Sequence, residues 1–471
     1  MEHIETDLCV IGAGSGGLAL ASGAVQMGAR VVLIEGHRMG GDCLNYGCVP
    51  SKALLSAARR AEAAATPGLG VTPGPVQVDF AAAKDHVAAT IAAIAPHDSE
   101  ERFEGLGVRV IRDTAHFTSP KTVRAGDIEV RARRFVIATG SRPAVPPIPG
   151  LDSVPYLTNE TIFDLRERPG HLLVLGGGPI GMEMAEAHRN LGCEVTVIEA
   201  ARALGREDEA AAAVVLERER ARGVRIIEGV AAARVEGREG AITIETADGE
   251  RHHGTHLLVA TGRRPHLEPL NLDAAGVRQD KAGVSVGPDL RSSNRRVYAI
   301  GDAAGGLQFT HLAGYHAATI IRPILFGLPA KARTDHVPRV TYTDPELAQV
   351  GLTEAEARDR FGKKLSVARV DYAGNDRARA SGRPEGLAKV MVVAGRPVGA
   401  TIAGAGAGDL IGVWALAISA RLKMSAIAGM VAPYPTLSEI NKSLAGAYFS
   451  PRLFDNPTVT RVVRLVQRLL P

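Results

Sequence analysis

Short apolar runs alternate along this chain with longer stretches of small and apolar residues at helical spacing, and glycines mark most of the joins. The run from Ile4 to Ile11 predicts a buried strand. It ends at Gly12-Ala13-Gly14-Ser15-Gly16-Gly17. A small-residue helix is predicted from about Leu18 to Met27, stopped by Gly28. A second apolar run, Val31-Val32-Leu33-Ile34, closes on Glu35.

The same order returns further on. His171 to Leu175 predicts a strand, Gly176-Gly177-Gly178-Pro179-Ile180-Gly181 a turn, and the following residues a helix to about Leu191. Val195-Thr196-Val197-Ile198 then leads to Glu199. Gly12 precedes Glu35 by 23 residues, and Gly176 precedes Glu199 by the same 23. Each copy has the parts of a dinucleotide site. The first glycine (Gly12, Gly176) makes a tight turn, the second (Gly14, Gly178) lets backbone approach a pyrophosphate, and the third (Gly17, Gly181) lets helix pack on strand. Phosphates are favoured at the helix N-terminus, and the acid (Glu35, Glu199) accepts from a ribose hydroxyl. One such turn is weak evidence; two, each with strand, helix and spaced acid, are specific.

Another pair of segments echoes. Phe135-Val136-Ile137-Ala138-Thr139-Gly140-Ser141-Arg142-Pro143 resembles Leu257-Leu258-Val259-Ala260-Thr261-Gly262-Arg263-Arg264-Pro265. Each is expected to be a buried strand closing in a glycine turn. Together the patterns predict an α/β fold with two Rossmann-like dinucleotide-binding domains, one for an adenine-linked flavin and one for a nicotinamide.

Composition adds bounds. The 471 residues exceed a single core, 45% apolar and 23% charged residues describe an ordinary globular protein, and the net charge of +4 is spread rather than clustered. The acidic start, Met1 to Asp7, lacks a secretory pattern. The most apolar stretch, Leu410 to Ala420, is followed by Arg421 and Lys423, so no membrane span and a cytoplasmic location are expected.

Of four cysteines, Cys43 and Cys48 lie five apart. So small a ring gains little loop-closure stability, so exchange chemistry is favoured over an inert disulfide. Zinc would need a second Cys/His pair at ligand spacing, and none is present; no metal site is predicted. Cys9 and Cys193 are expected to be buried and inert.

The segment Gly40-Gly41-Asp42-Cys43-Leu44-Asn45-Tyr46-Gly47-Cys48-Val49-Pro50-Ser51-Lys52 closely resembles the signature of the flavin-dependent pyridine nucleotide-disulfide oxidoreductases. That family includes dihydrolipoamide dehydrogenase, glutathione reductase and mercuric reductase. Val297-Tyr298-Ala299-Ile300-Gly301-Asp302, Thr343-Asp344-Pro345-Glu346 and Pro435-Thr436-Leu437-Ser438-Glu439 extend the resemblance over essentially the whole chain. It implies an NAD(P)H-dependent enzyme that passes electrons through FAD to a Cys43–Cys48 redox disulfide. Cys48 would face the flavin as a thiolate and Cys43 would attack substrate. Lys52, one helical turn beyond Cys48, would face the same ring and pair with Glu183; a solvated surface lysine is the plainer alternative. Thr139, Gly140, Gly301, Asp302 and Thr310 would line FAD, with Asp302 on the ribityl chain, and Gly262 would lie by the nicotinamide. Phe309-Thr310-His311 opens a helix aimed at the flavin pyrimidine; His311 reads as a helix-start residue rather than a base.

The resemblance also implies a layout. Residues 1–146 and 270–335 build the FAD domain, 147–269 the nicotinamide domain, and 336–471 an α+β dimerisation domain. Tyr434 and Glu439 would complete the other subunit's active site in a homodimer. Glu199 favours NAD(H) over NADP(H), although Arg202 and Arg206 follow. Pro179 stands where some members carry a gating tyrosine.

Two departures matter. Tyr434 replaces the histidine of thiol-specific members; its reference pKa of about 10, against about 6.5, makes it a donor and a poor base. Such a loss typically costs ~10²–10⁴ in rate. Mercuric reductases place tyrosine there too, but add tail cysteines, and no cysteine follows Cys193. Asp42 stands where threonine is usual, and its carboxylate is expected to raise the pKa of Cys43. The acceptor is expected to be a small disulfide or related sulfur compound. A metal ion, quinone or electrophile, as in mercuric reductase, is the alternative, and a non-catalytic complex subunit a third. The last helix opposes Arg461, Arg464 and Arg468 to Val462, Val463, Val466 and Leu470, and is expected to dock on the dimer rather than on a membrane surface.

Overall fold

The computed structural model describes residues 1–470. The chain groups into two compact units. One comprises residues 1–64, 76–200 and 230–333; the other comprises 65–75, 201–229 and the chain from 334 onward.

In the first unit the strand Glu2–Ile11 lies between Val31–Ile34 and Ile128–Ile137, parallel to both. Arg109–Ile111 extends the sheet beyond Val31–Ile34, and Val297–Ala299 pairs parallel with Ile128–Ile137. Leu8 to Ile11 and Val31 to Ile34 are all buried. Their continuous apolar runs follow from a sheet covered on both faces, which leaves no solvent side for polar residues. The helices Ser15–Gln26 and Thr310–Phe326 cover one face, contributing Leu18, Leu20, Ala21, Ala24, Ala317 and Ile320 to one core cluster.

The second copy is built alike. His171–Leu175 pairs parallel with Glu194–Glu199 and with His256–Val259, and Pro179–Asn190 is its helix. Both predicted helices begin earlier or end slightly sooner than the periodicity suggested, because each starts directly at the glycine turn. The strands Ser141–Pro143 and Arg263–Pro265, which follow the two echoed glycines, pair antiparallel. They mark where the intervening segment leaves and rejoins the first sheet. The fold is therefore the α/β class expected, with two dinucleotide-type βαβ units.

The second unit holds an antiparallel five-stranded sheet in the order Pro338–Thr341, Glu346–Gly351, Arg396–Gly404, Gly386–Val393, Leu365–Asp371. Trp414 is wholly buried among its helices, and its Nε1 donates to Asn441 Oδ1 at 2.7 Å. Without that acceptor the buried N–H would cost about 1–3 kcal/mol. Lys389 crosses from the sheet to Asp208 and Glu354, each at 2.9 Å. The final helix, Pro457–Leu469, buries none of its residues in this chain. No helix of the described residues is long and apolar enough to cross a membrane.

Candidate functional site

Each glycine turn divides its labour as the spacing required. Gly12 and Gly176 adopt φ values of 107° and 108°. A Cβ at Gly17 would fall 1.9 Å from the Gly12 carbonyl oxygen, and one at Gly181 would fall 2.0 Å from that of Gly176. At Gly14 and Gly178 a Cβ would meet nothing within 4 Å. The middle glycines thus face open space, where only a side chain on the protein would keep a phosphate away. Neither helix start has a side-chain cap, which leaves first-turn N–H groups for an anion, although the second helix opens on Pro179 and has one fewer to offer. The acids close the turns: Glu35 Oε2 accepts from Ala13 N at 2.6 Å, and Glu199 Oε2 from Gly177 N at 2.7 Å.

The cysteine loop sits beside the first turn. Gly40 N donates to Ala13 O at 2.9 Å, and a Cβ at Gly41 would lie 2.8 Å from Gly14 Cα. A short helix, Gly41–Asn45, carries Cys43, and the long helix Cys48–Ala65 opens at Cys48. Both cysteines are free thiols, and the titration of each is linked to that of the other. Cys48 Sγ also lies 3.2 Å from Thr310 Oγ1, at the start of the helix Thr310–Phe326.

The proton of this pair belongs on Cys43. The neighbouring Cys43 thiol pulls Cys48 down to about 6 against partial desolvation, with further help from Thr310 and the ammonium of Lys52. Cys43 moves the opposite way, raised by its bond to Cys48 and by burial. The charge of Asp42 also acts upward on Cys48. The Asp42 carboxylate is drawn to Arg263, 3.0 Å from Nη2, and accepts from Asn159 Nδ2 at 3.0 Å.

Lys52 is held by packing as well as charge. Its Nζ donates to Glu183 Oε2 at 2.8 Å, and the Glu183 side chain is only 6% exposed. Along the same seam Arg59 Nε lies 3.9 Å from Glu186 Oε1, and Asn190 Nδ2 donates to Glu62 Oε2 at 3.2 Å. Lys52 is therefore fixed between the helices Cys48–Ala65 and Pro179–Asn190 and is no solvated surface lysine.

The sheet ends supply more polar groups. Asp302 accepts from Ser141 Oγ at 2.5 Å, and burial raises its carboxyl pKa. Gly301, at φ 59°, donates its N–H to the buried His316 Nδ1 at 3.2 Å. The Thr139 hydroxyl is buried with no protein partner, and Gly140 and Gly262 both take positive φ. His311 stacks on Phe309 at the helix start. Cys9 and Cys193 are fully buried, and burial raises both thiols, Cys193 to about 11.

Tyr434 and Glu439 belong to the second unit. Tyr434 is exposed, and its hydroxyl donates to Asp376 Oδ2 at 3.1 Å; that bond raises the phenol pKa further. Glu439 opens the helix Glu439–Phe454 and accepts from Thr436 N at 3.3 Å.

Four contributors escaped the sequence reading: Ser141, Asn159, Arg263 and His316. For two of them a signal existed. Ser141 and Arg263 each follow the glycine of an echoed segment, and Arg263 Nε donates to Ser141 Oγ at 2.7 Å. Asn159 and His316 carry no local pattern; only the fold brings them in.

Paired glycine turns, a pair of free thiols beside the first of them and a lysine held by a buried glutamate define a two-dinucleotide thiol oxidoreductase. Residues 6–317 match the family model for pyridine nucleotide-disulphide oxidoreductases, and residues 337–445 match that family's dimerisation domain. The chain belongs to this family. It is 34% identical over 444 residues to a mercuric reductase of Staphylococcus aureus, covering 92% of this chain and 81% of that protein. It is 34% identical over 450 residues to a dihydrolipoyl dehydrogenase of Geobacillus stearothermophilus, covering 93% and 95%. The HOCl-induced flavoprotein disulfide reductase RclA of Escherichia coli, solved as a Cu(II) complex, superposes with a TM-score of 0.85 at 28% identity, covering 94% and 99%.

The family's cofactor is FAD, and the first turn fits it. The open front of Gly14, the uncapped helix at Ser15, the Glu35 carboxylate and the unpartnered Thr139 hydroxyl are what a dinucleotide would fill.

Proposed function

We propose that this enzyme takes electrons from NADH and delivers them through Cys43 and Cys48 to a small disulfide or related sulfur compound. The two free thiols beside the first glycine turn, with Cys48 Sγ 3.2 Å from Thr310 Oγ1 and Lys52 held by Glu183 one helical turn on, carry this reading. FAD, when bound, supplies the electron pair that reopens the Cys43–Cys48 disulfide.

The chain's own residues account for the rest. Cys43 passes its proton to Cys48 and attacks one substrate sulfur; the substrate S–S bond breaks and one thiolate leaves, taking that proton from Cys48. Cys48, again a thiolate, attacks the sulfur of Cys43 in the mixed disulfide. The second product departs as a thiolate and takes a proton from solvent, and Cys43–Cys48 closes as a disulfide. Lys52, held by Glu183, keeps positive charge next to Cys48 throughout. Gly12, Gly14, Gly17, Glu35, Thr139, Gly140, Gly301, Asp302 and Thr310 hold FAD; Gly176, Gly178, Gly181, Glu199 and Gly262 hold the nicotinamide dinucleotide. The Glu199 carboxylate would accept from ribose hydroxyls and repel a 2′-phosphate, which supports NADH over NADPH. Tyr434 and Glu439 are assigned to the partner subunit's site, where the tyrosine donates a hydrogen bond to the departing sulfur.

A second reading, reduction of a soft metal ion, is favoured by Tyr434 itself. Metal reduction needs no thiol base, and mercuric reductases and the copper complex of RclA stand among the relatives.

Steady-state oxidation of NADH and NADPH with lipoamide, glutathione disulfide, mercuric ion, cupric ion and quinones tests both. Turnover of a disulfide with NADH is expected. Turnover of metal ions alone would replace the first reading by the second. Fast oxidation of dihydrolipoamide that Tyr434→His leaves unimproved would refute the argument from the missing base.

A further inference from the structure

We propose that Asp42 is a positioning residue: clamped between Arg263 and Asn159, it ties the thiol loop to the strands that frame the inserted segment and keeps its own charge masked. This rests on Cys43 and Cys48 being the electron-passing pair.

Asp42 immediately precedes Cys43. Its carboxylate meets two donors from the far side of the chain: Arg263 Nη2 at 3.0 Å and Asn159 Nδ2 at 3.0 Å, both on Oδ1. The Arg263 side chain is 12% exposed and the Asp42 side chain 36%, so water screens this pair in part. Asn159, itself buried, also donates to Tyr46 O at 3.2 Å, and Tyr46 N donates to Asp42 O at 2.8 Å. The loop between the cysteines is thus held at both ends of one turn. It closes tightly on the acid, since a Cβ at Gly47 would stand 2.8 Å from Asp42 Oδ2.

Arg263 is anchored in turn. Its Nε donates to Ser141 Oγ at 2.7 Å and its Nη2 to Ser141 O at 2.9 Å. The Ser141 hydroxyl passes on to Asp302 Oδ2. One line of polar contacts therefore joins Asp302, Ser141, Arg263 and Asp42. It begins and ends at carboxylates, with the guanidinium in the middle as their shared counter-charge. A threonine in place of Asp42 could accept a hydrogen bond from Arg263 but could not balance its charge.

The groups facing Cys48 are Cys43 and Asp42 from the loop, Lys52 from its own helix with Glu183 behind it, and the hydroxyl of Thr310. Asp42 disfavours the thiolate by charge, and Arg263 limits that effect. Losing Arg263 should therefore harm the thiolate only while Asp42 is present.

The test is a double-mutant cycle on the FAD-loaded, two-electron-reduced enzyme. The Cys48 thiolate midpoint is read from long-wavelength absorbance against pH and, separately, from alkylation resolved by cysteine. Arg263→Gln is expected to raise the midpoint by roughly half to one pH unit. Asp42→Asn alone is expected to lower it, and in that background Arg263→Gln should move it by less than half as much. Equal shifts in the two backgrounds would overturn the clamp, as would a raised midpoint in Asp42→Asn. If Arg263→Gln loses FAD or folds poorly, the Asp42→Asn arm and the charge-keeping Arg263→Lys, expected to shift the midpoint less than Gln, decide the matter. A wild type with no thiolate below the ordinary cysteine range would sink the electron-passing reading along with the clamp; a thiolate indifferent to Asp42 and Arg263 would sink the clamp alone.

Discussion

Replacing Cys43 by alanine separates two causes that both favour a Cys48 thiolate. The first is the hydrogen bond from Cys43, the largest influence on Cys48; the Lys52 ammonium is a smaller one. A hydrogen bond to a charged acceptor is worth about 1.5–3 kcal/mol, or about 1–2 pH units at 1.36 kcal/mol per unit. The Lys52 side chain is 36% exposed and already neutralised by Glu183, so its charge is partly screened. Its loss should cost roughly half a unit. Cys43→Ala is therefore expected to move Cys48 from about 6 to roughly 7–8. At neutral pH the thiolate fraction would fall from ~0.9 to between ~0.5 and ~0.1, and alkylation of Cys48 would slow about two- to ten-fold. Lys52→Met should slow it less than two-fold. The assay is the pH dependence of iodoacetamide reaction at Cys48, followed by mass spectrometry of the cysteine-bearing peptide. A larger shift from Lys52→Met than from Cys43→Ala would refute this ordering and make the ammonium the dominant cause.

The glycine turn and a buried lysine give two further tests. Gly14→Val should leave the apoprotein folded and abolish FAD binding, because a Cβ there meets no protein atom, whereas Gly17→Ala should destabilise the unit itself, its Cβ falling 1.9 Å from Gly12 O; circular dichroism and flavin absorbance separate the two, and an FAD-replete Gly14→Val would refute the assignment. Lys84 is 2% exposed, donates to Ile162 O at 2.9 Å and is lowered by burial to about 8. Its folded pKa lies below the unfolded value, so the unfolded chain binds more protons between the two and stability rises with pH across that window. The full cost, about 3 kcal/mol, is present below about pH 8 and vanishes above the unfolded pKa. Lys84→Met should remove this pH-dependent part, and a stability difference between variant and wild type that stays constant across the window would refute it.

Strands, turns and helices of both βαβ units were legible because their signals are local. Apolar runs, glycine positions and the spaced acids all lie within about thirty residues. The thiol pair and Lys52 were legible for the same reason: five- and four-residue spacings place them on one turn. The Lys52–Glu183 contact came only through the family resemblance, since 131 residues separate the partners.

What surrounds Asp42 was not legible in the sequence. Adjacency to Cys43 says that its charge is near the thiols, but what neutralises it is a tertiary property. Arg263 and Asn159, more than one hundred residues away, turn the carboxylate aside. By itself, then, the sequence determined what could be written in short-range geometry: two dinucleotide turns, a reactive cysteine pair, and a donor where a base would usually stand. The tertiary structure alone decided what neutralises Asp42 and how the seam of Arg59, Glu186, Glu62 and Asn190 flanks the Lys52–Glu183 pair. Those outcomes depend on charges and hydrogen-bond donors meeting across the core, where burial weakens the screening that water would otherwise provide.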